Sequence, residues 1–371
     1  MLTKIAIKNV NAIRKCEIDF KKSKYQYRNE MILNNEFVSP IAFYGTNGSG
    51  KSSFLKAISQ LVSLMIDEPD RLSPFIPNYT NVTTGKTISI EAAELRSSVK
   101  VWFRLKDIDY SYKIETSTQG KIVSEILFKG DEQIFNRSII QYSYRGEKFK
   151  VESQMFPVLR KLDLERNDAD IKECYQFLSN MAFVDASKGG YQFKSSKQKS
   201  YKEIIVEHSK EVNNILSTYK EFPLYDVFSQ VNKLGKKEYY VGIKHETGHL
   251  VLPWELISGG MKNQSVVLSI LLSLPENGVL IVDEIEDALH PLTVLDFINV
   301  IRERKVQLIF SSHNTYILQK LRPDQIFFAN WKNGYSTYKR LSEIYPNIRE
   351  INNIEKMYLS NLFEEDIKKD D

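Results

Sequence analysis

The sequence has few of the residues that define small specialised protein classes. Its two cysteines, Cys16 and Cys174, can form neither a disulfide framework nor a four-cysteine zinc site. Glycine (16 residues) and proline (11 residues) are too sparse for a collagen-like or low-complexity chain of 371 residues. A reducing compartment, the cytoplasm, is the simplest location for such a chain.

Long hydrophobic runs are also missing. The longest apolar stretches, 266–274 and 279–282, are far shorter than the ~20 residues that a membrane span needs. Charged residues interrupt the apolar N-terminus too often for a signal peptide. The 51 basic and 47 acidic residues give a net charge of +4, which is too mild to indicate nucleic-acid binding by itself. We therefore expect no membrane partner.

The composition is that of a folded globular protein. Hydrophobic residues make up 42% and charged residues 26% of the chain. Short alternating patterns at 4–10 and 16–20 predict two strands, and the apolar run 41–44 predicts a buried strand. A helix is expected from Lys51 to about residue 66. The chain thus begins with strands and a strand–turn–helix unit.

The middle of the chain differs in character from its two ends. Residues 86–150 alternate as an antiparallel meander, whereas residues 151–235 are highly charged with helical periodicity. After residue 250, strand and helix patterns alternate, which favours a parallel α/β arrangement. We predict a single α/β domain over 1–371, with an antiparallel β region and a helical insertion inside it.

One motif matches Gly-x-x-x-x-Gly-Lys-Ser/Thr, the phosphate-binding loop, in full. Its glycines let successive N–H groups point at phosphate oxygens, and the following helix presents its positive end. Lys51 is expected to reach the β- and γ-phosphates of a nucleotide, and the Ser52 hydroxyl to bind Mg²⁺. The alternative, a chance glycine-rich turn, is disfavoured by the strand before it and the helix after it. The predicted nucleotide-binding residues are Gly45, Thr46, Asn47, Gly48, Ser49, Gly50, Lys51, Ser52 and Ser53.

A second candidate site follows the apolar strand 279–282, which ends in two acids. An Asp in the position of Asp283 commonly holds Mg²⁺, often through water. Glu284 is then placed to orient and deprotonate the attacking water. The alternative is an ordinary strand followed by an acidic loop. The phosphate-binding loop in the same chain favours the metal interpretation.

Two further elements complete the predicted site. Ser258, Gly259 and Gly260 precede a helix and form a second anion nest, with Ser258 as N-cap. A second nest is useful if two subunits pair head to tail and each nest closes on the partner's γ-phosphate; the alternative is a plain capping turn. His313 follows a buried strand and can hydrogen-bond the γ-phosphate or the water.

These elements, in this order, resemble the ABC-type ATPase superfamily. Residues 5–10, 284–291 and 311–314 are similar to the SMC/RecF/OLD branch, with 287–290 at the D-loop position. Residues 322–326 and 353–359 resemble stand-alone OLD-related ATPases of bacterial phage-defence operons, such as RloA-like and AbiL-like proteins. The similarity covers 1–60 and 250–360 well and is weak across 60–240.

The resemblance implies ATP and Mg²⁺ as ligands and a homodimer or higher oligomer with head-to-tail sites. Only 58 residues follow His313, too few for the nuclease domain of full-length OLD proteins, so the expected nuclease or toxin effector is a separate chain. Residues Ser258, Gly259 and Gly260 occupy the position of the ABC signature motif, and Ile257 stands before them where leucine is usual. The glutamine of the Q-loop cannot be assigned, since Gln133, Gln141 and Gln154 are all candidates.

Two other patterns are weaker. Residues 245–249 match the zinc-protease signature His-Glu-x-x-His, but the alternation around them predicts a β-hairpin turn, not the helix that zinc binding requires. Lysines between 188 and 202 interleave with Tyr191, Phe193 and Tyr201. This pattern leaves nucleic acid open as a partner, although a solvated loop is the favoured interpretation.

Together with the motifs, the resemblance implies an ATP-hydrolysing sensor, scaffold or motor component of an antiphage module. The first alternative is a RecF/SMC-like DNA repair ATPase. The second is a non-catalytic scaffold that keeps ATP as a structural ligand.

Overall fold

The computed structural model describes residues 1–33, 36–66, 78–80, 87–89, 96–186, 200–217, 225–245 and 248–360. The first part of the chain contains seven strands and one long helix: β1 (Leu2–Val10), β2 (Ile13–Asp19), β3 (Ile32–Leu33), β4 (Phe37–Val38), β5 (Ile41–Tyr44), α1 (Lys51–Ile66), β6 (Asn78–Thr80) and β7 (Thr87–Ser89). The middle part contains β8 (Arg96–Leu105), β9 (Ile108–Ser117), β10 (Ile122–Lys129), β11 (Glu132–Arg137), β12 (Gln141–Tyr144), β13 (Glu147–Lys150), α2 (Val158–Glu165), α3 (Ala169–Ser179), β14 (Ala182–Asp185), α4 (Tyr201–Leu216), β15 (Tyr225–Val231), β16 (Lys237–His245) and β17 (Gly248–Pro253). The last part contains α5 (Gly259–Ser273), β18 (Val279–Asp283), α6 (Ile285–Ala288), α7 (Pro291–Glu303), β19 (Gln307–Ser311), α8 (Thr315–Leu318), β20 (Ile326–Lys332), β21 (Tyr335–Arg340), α9 (Leu341–Ile344) and α10 (Ile354–Leu359).

A six-stranded sheet forms the centre of the fold, in the order β14-β18-β19-β5-β20-β21. The first five strands are parallel, and β21 pairs antiparallel with β20. Strands β5, β18 and β19 are buried at every residue, as expected for parallel strands covered on both faces. The predicted parallel α/β arrangement of the last third is confirmed.

An eight-stranded antiparallel sheet lies beside it, in the order β13-β12-β11-β10-β9-β8-β1-β2. The N-terminal hairpin belongs to this sheet because β1 pairs with β8, about 90 positions later in the chain. Between 86 and 150, the described strands β8 to β13 are antiparallel.

Side chains of the central sheet alternate between two hydrophobic cores. Phe43 and Ile281 face the core shared with α1, α2, α3 and the antiparallel sheet. Tyr44 and Val282 face the core shared with α4, α5 and α7. Described residues thus cover both faces of the sheet, which leaves its strand ends for ligands.

Residues 151–235 are less helical than predicted. They contain α2, α3 and α4 but also β14, which joins the central sheet, and β15, which pairs with β16. A short buried strand such as β14 carries no alternation, so its four-residue pattern cannot be distinguished from a helix segment. The polar residues 187–199 lie outside the described ranges.

The described residues of the His-Glu-x-x-His pattern lie in two strands, β16 and β17. His245 ends β16 and Gly248 begins β17, and these two residues face each other in an antiparallel pair. The predicted β-hairpin is confirmed. Among the described helices, none is long and apolar enough to cross a membrane.

Candidate functional site

The candidate site is built from loops that leave the carboxyl edge of the central sheet. The phosphate-binding loop follows β5, the acid pair lies at the end of β18, and His313 follows β19. Because these parallel strands are neighbours, their carboxyl ends meet at one edge, where ligands of α/β proteins bind. The sheet therefore brings the predicted groups of one subunit together.

Two glycines of the phosphate-binding loop are required by close packing. Gly45 has a φ of +144° and Gly50 a φ of +104°, both in the region that favours glycine. A Cβ on Gly45 would collide with the carbonyl oxygen of Ala329, and one on Gly50 with the side chain of Ser336. Strands β20 and β21 thus pack against the phosphate-binding loop. The loop tip from Thr46 to Gly48 is exposed.

Lys51 lies inside this loop. Its Nζ donates hydrogen bonds to the carbonyl oxygens of Gly45 (2.9 Å) and Thr46 (3.2 Å), and the residue is only 5% exposed. Burial lowers the pKa of the Lys51 ammonium, while the charges of Glu284 and Asp283 act to raise it. An anion bound in the loop would offset the cost of burying the Lys51 ammonium, because it would place a negative charge beside it.

Ser49 provides a second sign of an anion site. Its hydroxyl is buried in the loop and has no hydrogen-bond partner among the described residues. Buried polar groups are normally satisfied, so an orphaned donor next to a buried lysine calls for a ligand. The N-terminus of the 16-residue helix α1 starts at the same point. These features suit a phosphate group.

Asp283 connects the loop to β18. Its carboxylate is almost fully buried, and Oδ1 accepts hydrogen bonds from the Ser52 hydroxyl (3.0 Å) and the Ser311 hydroxyl (2.6 Å). The two predicted metal-binding residues, Ser52 and Asp283, are therefore in direct contact. The Ser311 hydroxyl also accepts the backbone N–H of Glu284 at 2.8 Å.

The oxygens of Ser52 and Asp283 suit Mg²⁺, which takes hard oxygen ligands and often one or two carboxylates together with substrate phosphates. Within the ranges that the structure describes, no group of three or more His, Cys, Asp or Glu side chains could hold a metal ion by itself. Phosphate oxygens and water would complete the coordination of an ion at this position.

Glu284 has an unusual backbone conformation, with a φ of +55° and a ψ of +65°. Such left-handed residues other than glycine and asparagine are uncommon and cluster at functional sites. Burial raises the pKa of the Glu284 carboxyl, and the nearby carboxylates of Asp283, Asp287 and Glu286 raise it further. A carboxylate with a raised pKa is a better proton acceptor, as a general base requires.

His313 follows β19 on the loop next to this acid pair. Its backbone N–H donates to Oε1 of Glu286 at 2.5 Å, and the residue as a whole is exposed. Partial burial of the imidazole and the nearby charge of Lys51 lower the pKa of His313. The imidazole is then neutral at pH 7, with one nitrogen able to donate and the other to accept a hydrogen bond.

The signature residues lie apart from the phosphate-binding loop of the same subunit. Ser258 is the N-cap of α5, and its hydroxyl accepts the N–H of Met261 at 3.3 Å. Ser258, Gly259 and Gly260 are exposed, and a Cβ on either glycine would meet nothing within 4 Å. In the described part of the chain, no hydrogen bond joins them to the phosphate-binding loop.

The sequence did not indicate that three residues at this site are functional candidates: Ser311, Lys56 and Asp185. Asp185 ends β14 and lies opposite Asp283 in the parallel pairing of β14 with β18. The Lys56 ammonium lies 3.7 Å from Asp185 and 3.9 Å from Asp283. An aspartate directly after an apolar run was the only available signal for Asp185.

The glutamine candidates do not reach this edge. Gln133 and Gln141 belong to β11 and β12 of the antiparallel sheet, and the Gln154 carbonyl pairs with the N–H of Ile122 at the start of β10. On the side of β18 away from β19, the neighbouring strand is β14, and it places Asp185 beside Asp283.

Comparison with known proteins identifies the family. The family model described as "AAA domain, putative AbiEii toxin, Type IV TA system" matches residues 41–319. The chain belongs to this family. The matched range extends from β5 past α8 and thus contains every strand that delivers a residue to the site. No curated protein sequence matches the chain.

Solved structures agree on the fold. An SMC head bound to the C-terminal winged-helix domain of ScpA is 17% identical, with a TM-score of 0.50 over 92% of this chain and 98% of that chain. The SMC head domain from Thermotoga maritima (14% identity, TM-score 0.44) and RecF (11% identity, TM-score 0.42) each match over 91% of this chain and 98% of theirs. The first of these similarities, with a TM-score of 0.50, shows that this AAA-family chain has the mixed α/β fold of an SMC head, an ABC-type P-loop ATPase domain.

Proposed function

We propose that this chain binds ATP with Mg²⁺ and hydrolyses it at sites shared between two subunits. The carrying observation is the chain of hydrogen bonds Ser52–Asp283–Ser311–Glu284, which ties the phosphate-binding loop to the acid pair. A glycine-rich turn with a purely structural role would not need a buried carboxylate that accepts a hydrogen bond from the serine of the turn. This arrangement favours catalysis over a purely structural ATP scaffold.

The side chains divide the work between binding and proton transfer. The Lys51 ammonium, the orphaned Ser49 hydroxyl and the loop N–H groups hold the phosphates. Glu284 accepts the proton of the attacking water at its carboxylate, and neutral His313 donates a hydrogen bond to the γ-phosphate or the water. Mg²⁺, held by Ser52 and Asp283, would neutralise developing charge on the phosphates.

The site of one subunit is incomplete without a second copy. The anion nest at Ser258 is exposed to solvent. It would bind phosphate when it meets the nucleotide of a head-to-tail partner. Asn263 on α5 donates to the carbonyl oxygen of Asp287 at 2.9 Å, which links the nest's helix to the loop after Glu284. ATP would thus close a homodimer or a higher oligomer, and hydrolysis would reopen it.

The cellular role that we propose is a cytoplasmic sensor, scaffold or motor component of an antiphage defence module with a separate nuclease or toxin effector chain. The family description, which refers to a toxin and a toxin–antitoxin system, supports this over other uses of the fold. The similarity to an SMC head keeps a RecF/SMC-like role in DNA repair as the second candidate. DNA-stimulated ATP hydrolysis without any toxic partner would favour that candidate.

Nucleotide binding by the Lys51→Ala variant tests the core of this proposal. The variant should fold but lose ATP binding, measured by equilibrium titration with a fluorescent ATP analogue, because the Lys51 ammonium lies inside the loop that is proposed to hold the phosphates. Lys305→Ala is the matched control, since Lys305 pairs with Glu276 before β19, at the opposite edge of the sheet. Equal ATP affinity in both variants would refute the phosphate-binding role of the loop.

A further inference from the structure

Lys56 lies one helical turn after Ser52 on α1, so both side chains project from the same face of the helix. Its Nζ is 3.7 Å from Oδ2 of Asp185 and 3.9 Å from Oδ2 of Asp283. The two carboxylates are 9% and 2% exposed, whereas the Lys56 side chain is 36% exposed. One ammonium, reached from solvent, thus bridges two buried carboxylates.

The pairing of β14 with β18 explains why a cation is needed there. The parallel register places Asp185 opposite Asp283, and the N–H of Ala186 donates to the Asp283 carbonyl at 3.1 Å. Two like charges held side by side on neighbouring strands repel each other. Among the described residues, Lys56 is the cation that contacts both carboxylates.

The two oxygens of Asp283 have different partners. Oδ1 accepts from the hydroxyls of Ser52 and Ser311, while Oδ2 is the oxygen nearest to Lys56. A metal ion that approaches Asp283 through Oδ2, directly or through water, therefore meets the ammonium. Two cations at the same oxygen repel each other, so the lysine and the metal compete.

We propose that Lys56 is a resident counter-cation that occupies Asp283 in the nucleotide-free protein, and that Asp185 retains the ammonium once Mg²⁺ enters with nucleotide. Lys56 and Asp185 are thus positioning residues that make Mg²⁺ binding depend on phosphate oxygens. This inference rests on the proposed ATP site. It goes beyond it by assigning a function to two residues that the hydrolysis scheme does not use.

The test measures the Mg²⁺ concentration that half-saturates binding of a fluorescent non-hydrolysable ATP analogue. Lys56→Met should lower that concentration by about tenfold, because it removes the positive charge that lies 3.9 Å from Oδ2 of Asp283. Lys56→Arg keeps the charge and should stay close to wild type. The matched control is Lys305→Met, which removes a lysine–glutamate pair at the opposite edge of the sheet and should change nothing.

Asp185 gives a change of opposite sign. Asp185→Asn leaves Lys56 with Asp283 alone and should raise the Mg²⁺ requirement severalfold. In the double variant Asp185→Asn/Lys56→Met the competitor is absent, so the requirement should return to that of Lys56→Met. A double variant that needs more Mg²⁺ than Lys56→Met would make Asp185 a metal ligand and overturn its assigned role.

An unchanged Mg²⁺ requirement in Lys56→Met would overturn the inference as a whole. Should that variant not fold, the rise in Asp185→Asn decides the question by itself. Failure of the proposed function looks different, because wild-type protein would then not bind the nucleotide analogue at any Mg²⁺ concentration.

Discussion

The hydroxyl of Ser311 lies 2.6 Å from Oδ1 of Asp283 and connects the carboxyl ends of β19 and β18. The same hydroxyl accepts the backbone N–H of Glu284, whose φ is +55°. One fully buried serine therefore fixes the carboxylate that is proposed to hold the metal and the backbone of the proposed base. In its left-handed conformation, Glu284 directs its N–H to this acceptor at the end of β19.

Removal of this hydroxyl should reduce both stability and activity. Ser311→Ala should lower the free energy of unfolding by about 1–3 kcal/mol, because Asp283 loses a donor and the N–H of Glu284 loses its acceptor in a buried place. The ATPase kcat should fall more than the KM changes, since the proposed base is misplaced while the phosphate-binding loop is intact. Urea unfolding and steady-state kinetics measure the two effects.

The control for this variant is Ser273→Ala. Ser273 is exposed in the last turn of α5, and its hydroxyl donates to Ile270 of its own helix. A loss of stability in Ser311→Ala that is no larger than in this control would show that the Ser311 contacts are not important.

The sequence predicted the parts of the site that depend on local patterns. The motif placed the loop from Gly45 to Ser52, and helix α1 has the predicted bounds, Lys51–Ile66. The apolar runs of β18 and β19 were also recognisable, because a parallel strand buried on both faces reads as a short hydrophobic run. Their neighbouring positions in the sheet then follow from the rules of α/β topology.

The contacts around Lys56 and Asp185 could not be predicted in the same way. β14 has only four residues and follows a helix within a charged region, so nothing local showed that it joins the central sheet. Its partner β18 lies about 100 positions later. Ser311 is one of two consecutive serines after a strand, and only the three-dimensional pairing shows which one faces Asp283.

The pKa shifts predict the pH dependence of turnover. The base must be ionised, and the pKa of Glu284 is raised above the ordinary 4.5, so kcat/KM should fall at a pH above that value as the medium is acidified. The pKa of His313 is lowered from 6.5, so its protonation should cause no loss of rate at or above that pH. Rates measured from about pH 5 to about pH 8 give the profile.

Two variants assign this acid limb. It should persist in His313→Gln, because that variant keeps the base, and disappear from the residual activity of Glu284→Gln. An acid limb that is lost in His313→Gln would mean that the histidine, and not Glu284, titrates in the active range.

The shared site predicts that Ser258 acts on the partner's nucleotide. Ser258→Arg should leave one ATP bound per subunit but prevent ATP-dependent association, because a bulky cation would fill the exposed nest. Light scattering with and without ATP measures the assembly, and equilibrium titration measures the binding. Unchanged assembly and turnover would show that each subunit hydrolyses ATP by itself.

The roles of Glu284 and Asp283 are separated by the two amide variants. Glu284→Gln keeps the shape and the hydrogen-bonding reach of the side chain but removes the base. General-base catalysis is typically worth about 10²–10⁴-fold, so hydrolysis should slow by about two orders of magnitude or more while ATP still binds. The variant should therefore accumulate as the closed, ATP-bound oligomer.

Asp283→Asn should instead weaken Mg²⁺-dependent nucleotide binding, since Oδ1 of Asp283 accepts the hydrogen bond of Ser52.

The stability of the protein gives an independent test of Glu284. Folding raises the pKa of the Glu284 carboxyl. Such a group stabilises the folded protein when the pH is below the pKa of the unfolded state, and this stabilisation is lost as the pH rises through the pKa of the folded state. The ionised Glu284 thus destabilises the protein at neutral pH, so Glu284→Gln should raise the melting temperature there and not in acid. A normal rate of hydrolysis in Glu284→Gln would place the base elsewhere, and loss of ATP binding in that variant would exchange the roles of the two carboxylates.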